Sequence, residues 1–233
     1  MSWLDLPRVP EPEVMDDAAE VEAYASAAAQ AYLDRIDDTF VAHAQRLVGG
    51  KTEGRALDIG TGPGQIVLKL ARRLPRWQFV GVDRSTNMIQ KARAGAAAEG
   101  ERVQFFVADG NRLSFPDGSF DLVMCNSVLH HLAEPQRVLG EVARLVKPGG
   151  AVLIRDLRRP SRLAYPLYVR WHGRHYSGLM YKLYRASVRA AYTVAELEEL
   201  LRQSPLRASD ANSGRACVFA HGRTHLGIER HAR

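Results

Sequence analysis

The most constraining feature of this chain is a glycine turn that follows a short apolar run. Residues 56–64 read A-L-D-I-G-T-G-P-G, with Gly60, Gly62 and Gly64 spaced two apart, and residues 65–74 have a helical pattern. An apolar run, a glycine-rich turn and a helix, in that order, are typical of a parallel strand that delivers a ligand to a helix N-terminus. Glycine allows the sharp turn and a close approach of the backbone to a bound molecule. The pattern predicts an α/β protein with a ligand at this turn.

The residues around the turn also indicate the kind of ligand. Asp58 stands two residues before the first glycine, where a fixed carboxylate would repel a pyrophosphate and attract an ammonium or sulfonium group. A dinucleotide fingerprint, G-x-G-x-x-G, would need its third glycine at position 65, which is Gln65. The phosphate-binding pattern G-x-x-x-x-G-K-[ST] cannot be placed over this stretch. We therefore expect a cationic ligand.

Further apolar runs follow, and polar residues stand directly after three of them. Asp83 follows the run 77–82, about twenty residues beyond the glycine turn, where a doubly wound fold places a carboxylate for the two hydroxyls of a ribose. Asp109 follows 102–108 and Asn126 follows 120–125. A further run, 151–154, comes after L-V-K-P-G-G, which predicts a helix end before a strand. The carboxyl ends of parallel strands are where such a sheet binds its ligand, so these groups should meet there.

These motifs, in this order, resemble those of the class I S-adenosylmethionine-dependent methyltransferases, whose first motif is an acidic residue followed by G-x-G-x-G. The resemblance is close over residues 55–157 and looser elsewhere. It implies a Rossmann-like fold, a doubly wound, mostly parallel seven-stranded sheet with a helical lid. It also implies S-adenosylmethionine as cofactor and S-adenosylhomocysteine as product.

The same resemblance implies roles for individual residues. Asp58 and the glycines would take the methionine end of the cofactor, Asp83 its ribose, and Asp109 with Gly110 its adenine. Ser85 would cap a helix over 86–98, from whose first turn Met88 would project toward the adenine. The full predicted cofactor set is Asp58, Gly60, Thr61, Gly62, Gly64, Asp83, Arg84, Met88, Asp109, Gly110, Asn126 and Ser127.

Candidate catalytic residues come from two histidine-bearing segments. Methyl transfer from a sulfonium is an in-line displacement, and it needs a base only when the acceptor arrives protonated. His130 and His131 follow the fourth strand, while W-H-G-R-H-Y contains His172, His175 and Tyr176. The sequence does not choose among these five. Because no helical i,i+4 ligand pair accompanies a carboxylate, we predict no metal site.

The chain divides into one domain with appendages. We expect a helical arm or lid over residues 1–50, a cofactor-binding core over 51–157 and a basic helical insert over 158–192. Residues 193–233 would return to the core as a helix and the last strands. Thr193 and Glu196 form a capping-box pattern at the start of that helix. R-A-C-V-F-A-H, 215–221, reads as a strand, and the histidine-bearing tail after it as frayed or associated with the lid.

Charge is distributed unevenly between the appendages. Residues 1–38 hold ten acidic side chains against Arg8 and Arg35, whereas 155–189 hold nine basic side chains against Asp156 alone. The basic segment, which also carries tyrosines and a tryptophan, fits a lid over the acceptor. It also fits a nucleic-acid surface, or a solvated or dimer-forming face. In the family that the chain resembles, the N-terminal helices and the insert after the fifth strand close over the acceptor, so the resemblance favours the lid, with the acidic arm packed against it.

We therefore predict a methyltransferase acting on a small-molecule acceptor. The alternatives are an RNA methyltransferase that uses the basic segment 155–189, and a non-catalytic cofactor-binding protein. Two cysteines, Cys125 and Cys217, exclude a disulfide framework and a four-cysteine zinc site. Neither a membrane-spanning stretch nor the apolar segment of a signal peptide is present, so we expect a cytoplasmic monomer or homodimer without a membrane partner.

Overall fold

A computed structural model describes residues 3–11, 27–207 and 214–233 of the chain and contains a seven-stranded sheet. Its strand order is β3-β2-β1-β4-β5-β7-β6, in which only β7 runs antiparallel to its neighbours. The predicted fold class is confirmed. The strands are β1 (Gly54–Ile59), β2 (Trp77–Asp83), β3 (Val103–Val107), β4 (Phe120–Asn126), β5 (Val146–Leu157), β6 (Cys217–His221) and β7 (His225–Arg230).

The helices of the described ranges cover both faces and the carboxyl edge of this sheet. They are α1 (Ala27–Leu47), α2 (Gln65–Arg73), α3 (Thr86–Gly95), α4 (Pro135–Leu145), α5 (Tyr165–His172), α6 (Gly178–Ala190) and α7 (Val194–Gln203). None of them combines the length and the apolar character needed to cross a membrane.

Two predicted helix starts are confirmed by their hydrogen bonds. The Ser85 hydroxyl accepts from the backbone N–H of Met88 at 3.1 Å, which caps α3. Thr193 and Glu196 form the reciprocal capping box that opens α7. The expected end of α3 at residue 98 is wrong: the helix stops at Gly95. Beyond it the N–H of Glu99 donates to the carbonyl of Ala96, three residues back, and this turn redirects the chain toward β3.

The core consists of two apolar layers on opposite faces of the sheet. Leu57 and Ile59 of β1 pack in the layer beneath α4 and α7, while Ala56 packs in the layer beneath α1, α2 and α3. Successive side chains of a strand point to opposite faces, so Asp58 shares the face of Ala56. This alternation directs the Asp58 carboxylate toward α1.

The path of the chain differs from the prediction at two strands. β5 begins at Val146, so residues 147–150 belong to the strand and not to a turn. A register shift opposite Phe120 and Leu122 accommodates them. The second correction concerns the tail, which is not frayed. β7 pairs with both β5 and β6, and Gly227 lies so close to the Ile154 carbonyl that an added Cβ would be 2.0 Å from it.

The insert between β5 and α7 forms a small helical layer with its own apolar contacts, and the N-terminal residues run along it. Val169, Tyr184 and Val188 form the buried contacts of this layer. The N–H of Val9 donates to the Arg189 carbonyl at 3.1 Å. The described part of the arm, residues 3–11, therefore contacts the basic insert through backbone hydrogen bonds, and charge pairing between the two stays a prediction. Residues 12–26, which carry five of the arm's acidic side chains, lie outside the described ranges.

Candidate active site

A cavity of about 420 Å³ opens at the carboxyl ends of β1, β2 and β4 and extends under α6. β1 pairs with β2 on one side and with β4 on the other, so the cavity lies where the strand order reverses. Eleven of the twelve predicted cofactor residues line it: Asp58, Gly60, Thr61, Gly62, Asp83, Arg84, Met88, Asp109, Gly110, Asn126 and Ser127. The exception is Gly64, where an added Cβ would lie 2.7 Å from the Phe105 ring, so its conformation serves packing beneath the turn.

The glycine turn has a backbone that other residues rarely adopt. Gly60 and Gly62 have φ angles of 72° and 54°. The N–H groups of Gly60 and Thr61 both donate to the Val82 carbonyl, which ties the turn to β2. An added Cβ at Gly60 would lie 2.3 Å from Val128, whereas one at Gly62 would meet nothing within 4 Å. The turn is thus packed from below and open above Gly62, so a bound molecule can approach the backbone there.

Carboxylates dominate the electrostatics beside this turn. Asp58 is almost fully buried, and burial raises its pKa to about 7, with the charges of Asp83 and Asp37 acting in the same direction. Burial also raises the pKa of Asp37, on α1, to about 6, although Arg155 and Lys69 oppose the shift. A cationic ligand would stabilise the ionised form of both groups. The site therefore suits a sulfonium and an ammonium, as the sequence predicted.

Asp83 connects the glycine turn to the start of α3. One carboxylate oxygen accepts from the N–H of Gly62 at 2.8 Å and the other from the N–H of Ser85 at 2.9 Å. A carboxylate oxygen can accept more than one hydrogen bond, which is the chemistry that the two hydroxyls of a ribose require. Met88, one turn into α3, is buried at the cavity wall.

The other predicted cofactor residues are held by neighbouring groups. Asp109, at the exposed rim, accepts from both the backbone and the side-chain N–H of Asn111, and the backbone hydrogen bond is the main cause of its lowered pKa. The Asn126 side-chain oxygen accepts from Nε of the buried Arg155 at 2.9 Å. Ser127 has a φ of 58°, which only glycines share among the described residues. Strained backbone of this kind is common at functional sites.

His130 is locked in place by Asp156 at the end of β5. Nδ1 of His130 lies 2.6 Å from one oxygen of Asp156, and the His130 N–H donates to the other at 2.9 Å. Burial alone would lower the pKa of His130, but the Asp156 carboxylate raises it above its ordinary value. The side chain of His130 is only 2% exposed. These contacts make His130 a fixed part of the cavity wall.

His131 lies beside His130 and is the more exposed of the two. Its side chain is 17% exposed, and its ring centroid is 4.0 Å from that of His130. Oε2 of Glu11 lies 3.7 Å from Nδ1 of His131 and 3.8 Å from Nε2 of His130. The three ligand-type atoms are within 4.8 Å of one another, so among the described residues this triad has the spacing to hold a metal ion.

Of the three candidate catalytic residues in the insert, two face the cavity and one does not. His172 and Tyr176 line the cavity, with Tyr176 packed against Tyr184 at 5.0 Å. His175 does not line it, because its ring stacks on Tyr32 at 4.3 Å over a neighbouring depression. The pKa of His172 is lowered by burial and by the nearby Arg174. The structure therefore brings together His130, His131, His172 and Tyr176, and leaves His175 outside.

The sequence prediction missed two acidic residues at or near the cavity. Asp156, which contacts His130 from behind the cavity wall, stands two residues after the apolar run 151–154, close to where the strand-end rule would look. Asp37, on α1, lines the cavity only because that helix packs across the carboxyl ends of the strands, and no local pattern marks it.

Comparisons with known proteins agree with this geometry. Residues 57–154 match the methyltransferase domain family. The demethylmenaquinone methyltransferase of Thermus thermophilus is 37% identical over 120 residues, which cover 52% of this chain and 54% of that protein. The ubiquinone/menaquinone biosynthesis C-methyltransferase UbiE of Desulfotalea psychrophila is 34% identical over 145 residues, covering 62% and 57%. The chain thus spans about half the length of these curated relatives.

Solved structures extend the similarity of the fold over nearly the whole chain. A S-adenosylmethionine-dependent methyltransferase from Aquifex aeolicus, 19% identical, superimposes with a TM-score of 0.64 over 93% of this chain and 99% of its own. The plantazolicin methyltransferase BpumL, solved with S-adenosylhomocysteine, is 17% identical and gives 0.68 over 93% and 91%. Together with the glycine turn and the strand-end carboxylates, the matched family and the curated relatives identify residues 57–154 as an S-adenosylmethionine-dependent methyltransferase domain of class I.

Proposed function

We propose that this chain transfers the methyl group of S-adenosylmethionine to a small-molecule acceptor that enters between the sheet and the insert. The observation that carries this proposal is the continuity of one cavity from the glycine turn to the wall formed by the insert. Asp58, Gly62 and Asp83 would hold the cofactor. The space beyond them would hold the acceptor.

The acceptor end of the cavity is apolar and aromatic. Met180, Leu183 and Tyr184 of α6 line it, together with Tyr176. Such a wall fits a flat aromatic or quinone-like acceptor better than a charged one. The curated relatives named for demethylmenaquinone and for ubiquinone or menaquinone biosynthesis support the same class. Their names are the basis for choosing a small aromatic acceptor over RNA.

Methyl transfer by in-line displacement requires little covalent participation by the protein. Bound S-adenosylmethionine supplies an electrophilic methyl group on a sulfonium. The main contribution of the chain is to align the two reactants, an effect that reaches about 7–11 kcal/mol in well-oriented reactions. An acceptor that must lose a proton also needs a base within hydrogen-bonding reach.

We assign the role of base to His131 and a positioning role to His130. Only an atom that faces the cavity can take a proton from the acceptor, and His131 is the more exposed ring. His130 is held by two contacts with Asp156 and packs against His131, so it fixes the orientation of its neighbour. Glu11, near both rings, would stabilise the cation formed on His131.

Turnover with a panel of acceptors tests the proposed function. The chain is incubated with S-adenosylmethionine and, in turn, a hydroquinone, a phenol, an amine, a thiol and an RNA, and formation of S-adenosylhomocysteine is followed. We expect turnover with the hydroquinone or the phenol. Turnover with RNA alone would contradict the proposal, as would cofactor binding without turnover on any acceptor.

Binding of the cofactor should release protons, because two cavity carboxyls have raised pKa values. In the ligand-free protein the pKa of Asp58 is about 7 and that of Asp37 about 6. A cation beside them lowers both values, so binding expels protons and the affinity should rise between about pH 5.5 and about pH 7.5. Calorimetry at about pH 6.5, in two buffers of different ionisation enthalpy, measures the release.

Two comparisons sharpen this experiment. S-adenosylhomocysteine lacks the sulfonium charge, so it should release fewer protons than S-adenosylmethionine. Asp58→Asn should reduce the release with both ligands. Proton uptake on binding, or equal release by the two ligands, would show that the carboxylates do not sense the charge of the cofactor.

A further inference from the structure

The outer side of the insert carries large apolar side chains that no other part of the described chain covers. Leu167 is 74% exposed, Trp171 66% and Leu163 64%. In the N-terminal segment, Trp3 is 73% exposed and Leu4 38%. Two of the three tryptophans of the chain are therefore on the surface, while the third, Trp77, is fully buried. Scattered single residues of this kind are ordinary, so their arrangement decides whether they matter.

These five side chains belong to one region, which we call the lid patch: Trp3, Leu4, Leu163, Leu167 and Trp171. Leu167 and Trp171 are four residues apart on α5 and lie on the same face of the helix. Leu163 precedes Leu167 by another four residues. The N–H of Arg162 donates to the Leu4 carbonyl at 2.9 Å, which places the N-terminal segment beside Leu163.

The charge around the lid patch is positive. Arg162, Arg170 and Arg174 are exposed, and the Arg174 guanidinium lies 4.7 Å above the Trp171 ring. No acidic residue occurs between positions 157 and 195. In the described N-terminal segment, Asp5 is the acidic residue closest in sequence to Trp3 and Leu4, so the arginines outnumber it. A basic rim around leucine and tryptophan side chains is the composition of protein surfaces that insert shallowly into anionic membranes.

We infer that the lid patch docks the protein on an anionic membrane surface. The apolar side chains would enter the boundary between headgroups and acyl chains, and the arginines would contact lipid phosphates. A second copy of the chain is a poorer occupant, because a two-fold contact through the patch would set these arginines against their own counterparts. No membrane-spanning helix is needed for such a contact. The inference goes beyond the proposed methyl transfer and does not depend on it.

The patch also lies near the acceptor end of the cavity. Tyr165 at the start of α5 donates its hydroxyl to the Arg185 carbonyl on α6 at 3.3 Å. Met180 and Leu183 of the same α6 line the cavity. Docking through α5 would therefore bring the insert that covers the cavity to the membrane surface, where an amphiphilic acceptor could reach it.

Flotation with lipid vesicles tests the inference on the full chain. Vesicles of phosphatidylcholine with phosphatidylglycerol should carry the protein upward, and vesicles of phosphatidylcholine alone should carry at least tenfold less. The double variant Leu167→Ser, Trp171→Ser should bind the anionic vesicles about tenfold or more weakly. The double variant Arg170→Gln, Arg174→Gln should bind the anionic vesicles about 30-fold more weakly. Raised salt should weaken the binding of the wild-type chain by a similar factor.

Matched controls come from exposed residues elsewhere on the chain. Phe106→Ser with Val107→Ser removes two apolar side chains that are 41% and 48% exposed on β3. Arg72→Gln with Arg137→Gln removes two guanidinium groups from exposed side chains of α2 and α4. Both controls should bind vesicles like the wild-type chain, and circular dichroism should show all four variants folded.

Three results would overturn the inference. The first is an absence of flotation with anionic vesicles. The second is flotation that the patch variants and the control variants weaken equally. The third is a concentration-dependent dimer that the Leu167→Ser, Trp171→Ser variant dissociates, because the patch would then be covered by a second copy.

Discussion

Replacing His131 by glutamine is expected to lower kcat by about 100- to 10,000-fold, the usual contribution of a positioned general base. Glutamine has a similar size but cannot accept and hold a proton near neutral pH. Because we place His131 beside the acceptor and not beside the cofactor, the Kd for S-adenosylmethionine should stay within about twofold of the wild-type value. Single-turnover kinetics with the best acceptor and calorimetry with the cofactor measure the two quantities.

His130→Gln is the matched variant for this prediction. It removes the ring contact with Asp156, so it should change the pH dependence of kcat and weaken folding, since buried Asp156 loses its partner. An equal kcat for His131→Gln and the wild-type chain would remove His131 from the mechanism.

Chelation distinguishes between two roles of His131, a general base and a ligand of a metal ion. Dialysis against EDTA should leave kcat unchanged if His131 acts as a base. Loss of activity with EDTA, restored by a divalent ion, would assign Glu11, His130 and His131 to a metal site instead.

Asp83→Ala is expected to weaken binding of S-adenosylmethionine at least tenfold. The change removes the predicted acceptor of the ribose hydroxyls. It also removes the acceptor to which the N–H groups of Gly62 and Ser85 donate. Two partly buried charge-assisted hydrogen bonds, typically worth about 1.5–3 kcal/mol each, would be lost. Calorimetry gives the Kd, and thermal unfolding without ligand checks that the fold survives.

A control for this variant is Asp117→Ala, whose side chain is 79% exposed in a turn far from β2 in sequence. It should bind the cofactor with unchanged affinity. Asp83→Asn is a finer probe, because it keeps one acceptor oxygen, replaces the other by a donor group and removes the negative charge that attracts the cationic ligand. An unchanged Kd for Asp83→Ala would mean that β2 does not supply the ribose contact.

The cofactor half of the site could be predicted from local patterns. The glycine turn after β1 and the polar residues that end β2 and β4 can each be recognised because an apolar run stops directly before them. A parallel sheet then brings these strand ends to one edge without further information. Gly64 shows the limit of this reasoning, since the motif includes it while its space is filled by Phe105.

The acceptor half could not be predicted in the same way. Glu11, which lies near His130 and His131, comes from the N-terminal part of the chain, and its placement depends on how that part packs. The arginines of the basic insert also differ in burial, which the charge of the sequence cannot show. Arg159 is buried, bonded to Glu196 and the Ala191 carbonyl, whereas Arg162 is exposed beside the lid patch. These two residues contribute the same charge to the sequence, but packing buries Arg159 and leaves Arg162 at the surface.

The central claim is that the cavity at the carboxyl ends of β1, β2 and β4 binds a positively charged nucleoside cofactor. Calorimetric titration of the full chain with S-adenosylmethionine, S-adenosylhomocysteine, NADH and ATP tests it most directly. We predict measurable heat and a one-to-one complex with the first two ligands, and none with NADH or ATP. Binding of NADH or ATP, without any heat from S-adenosylmethionine or S-adenosylhomocysteine, would contradict the claim.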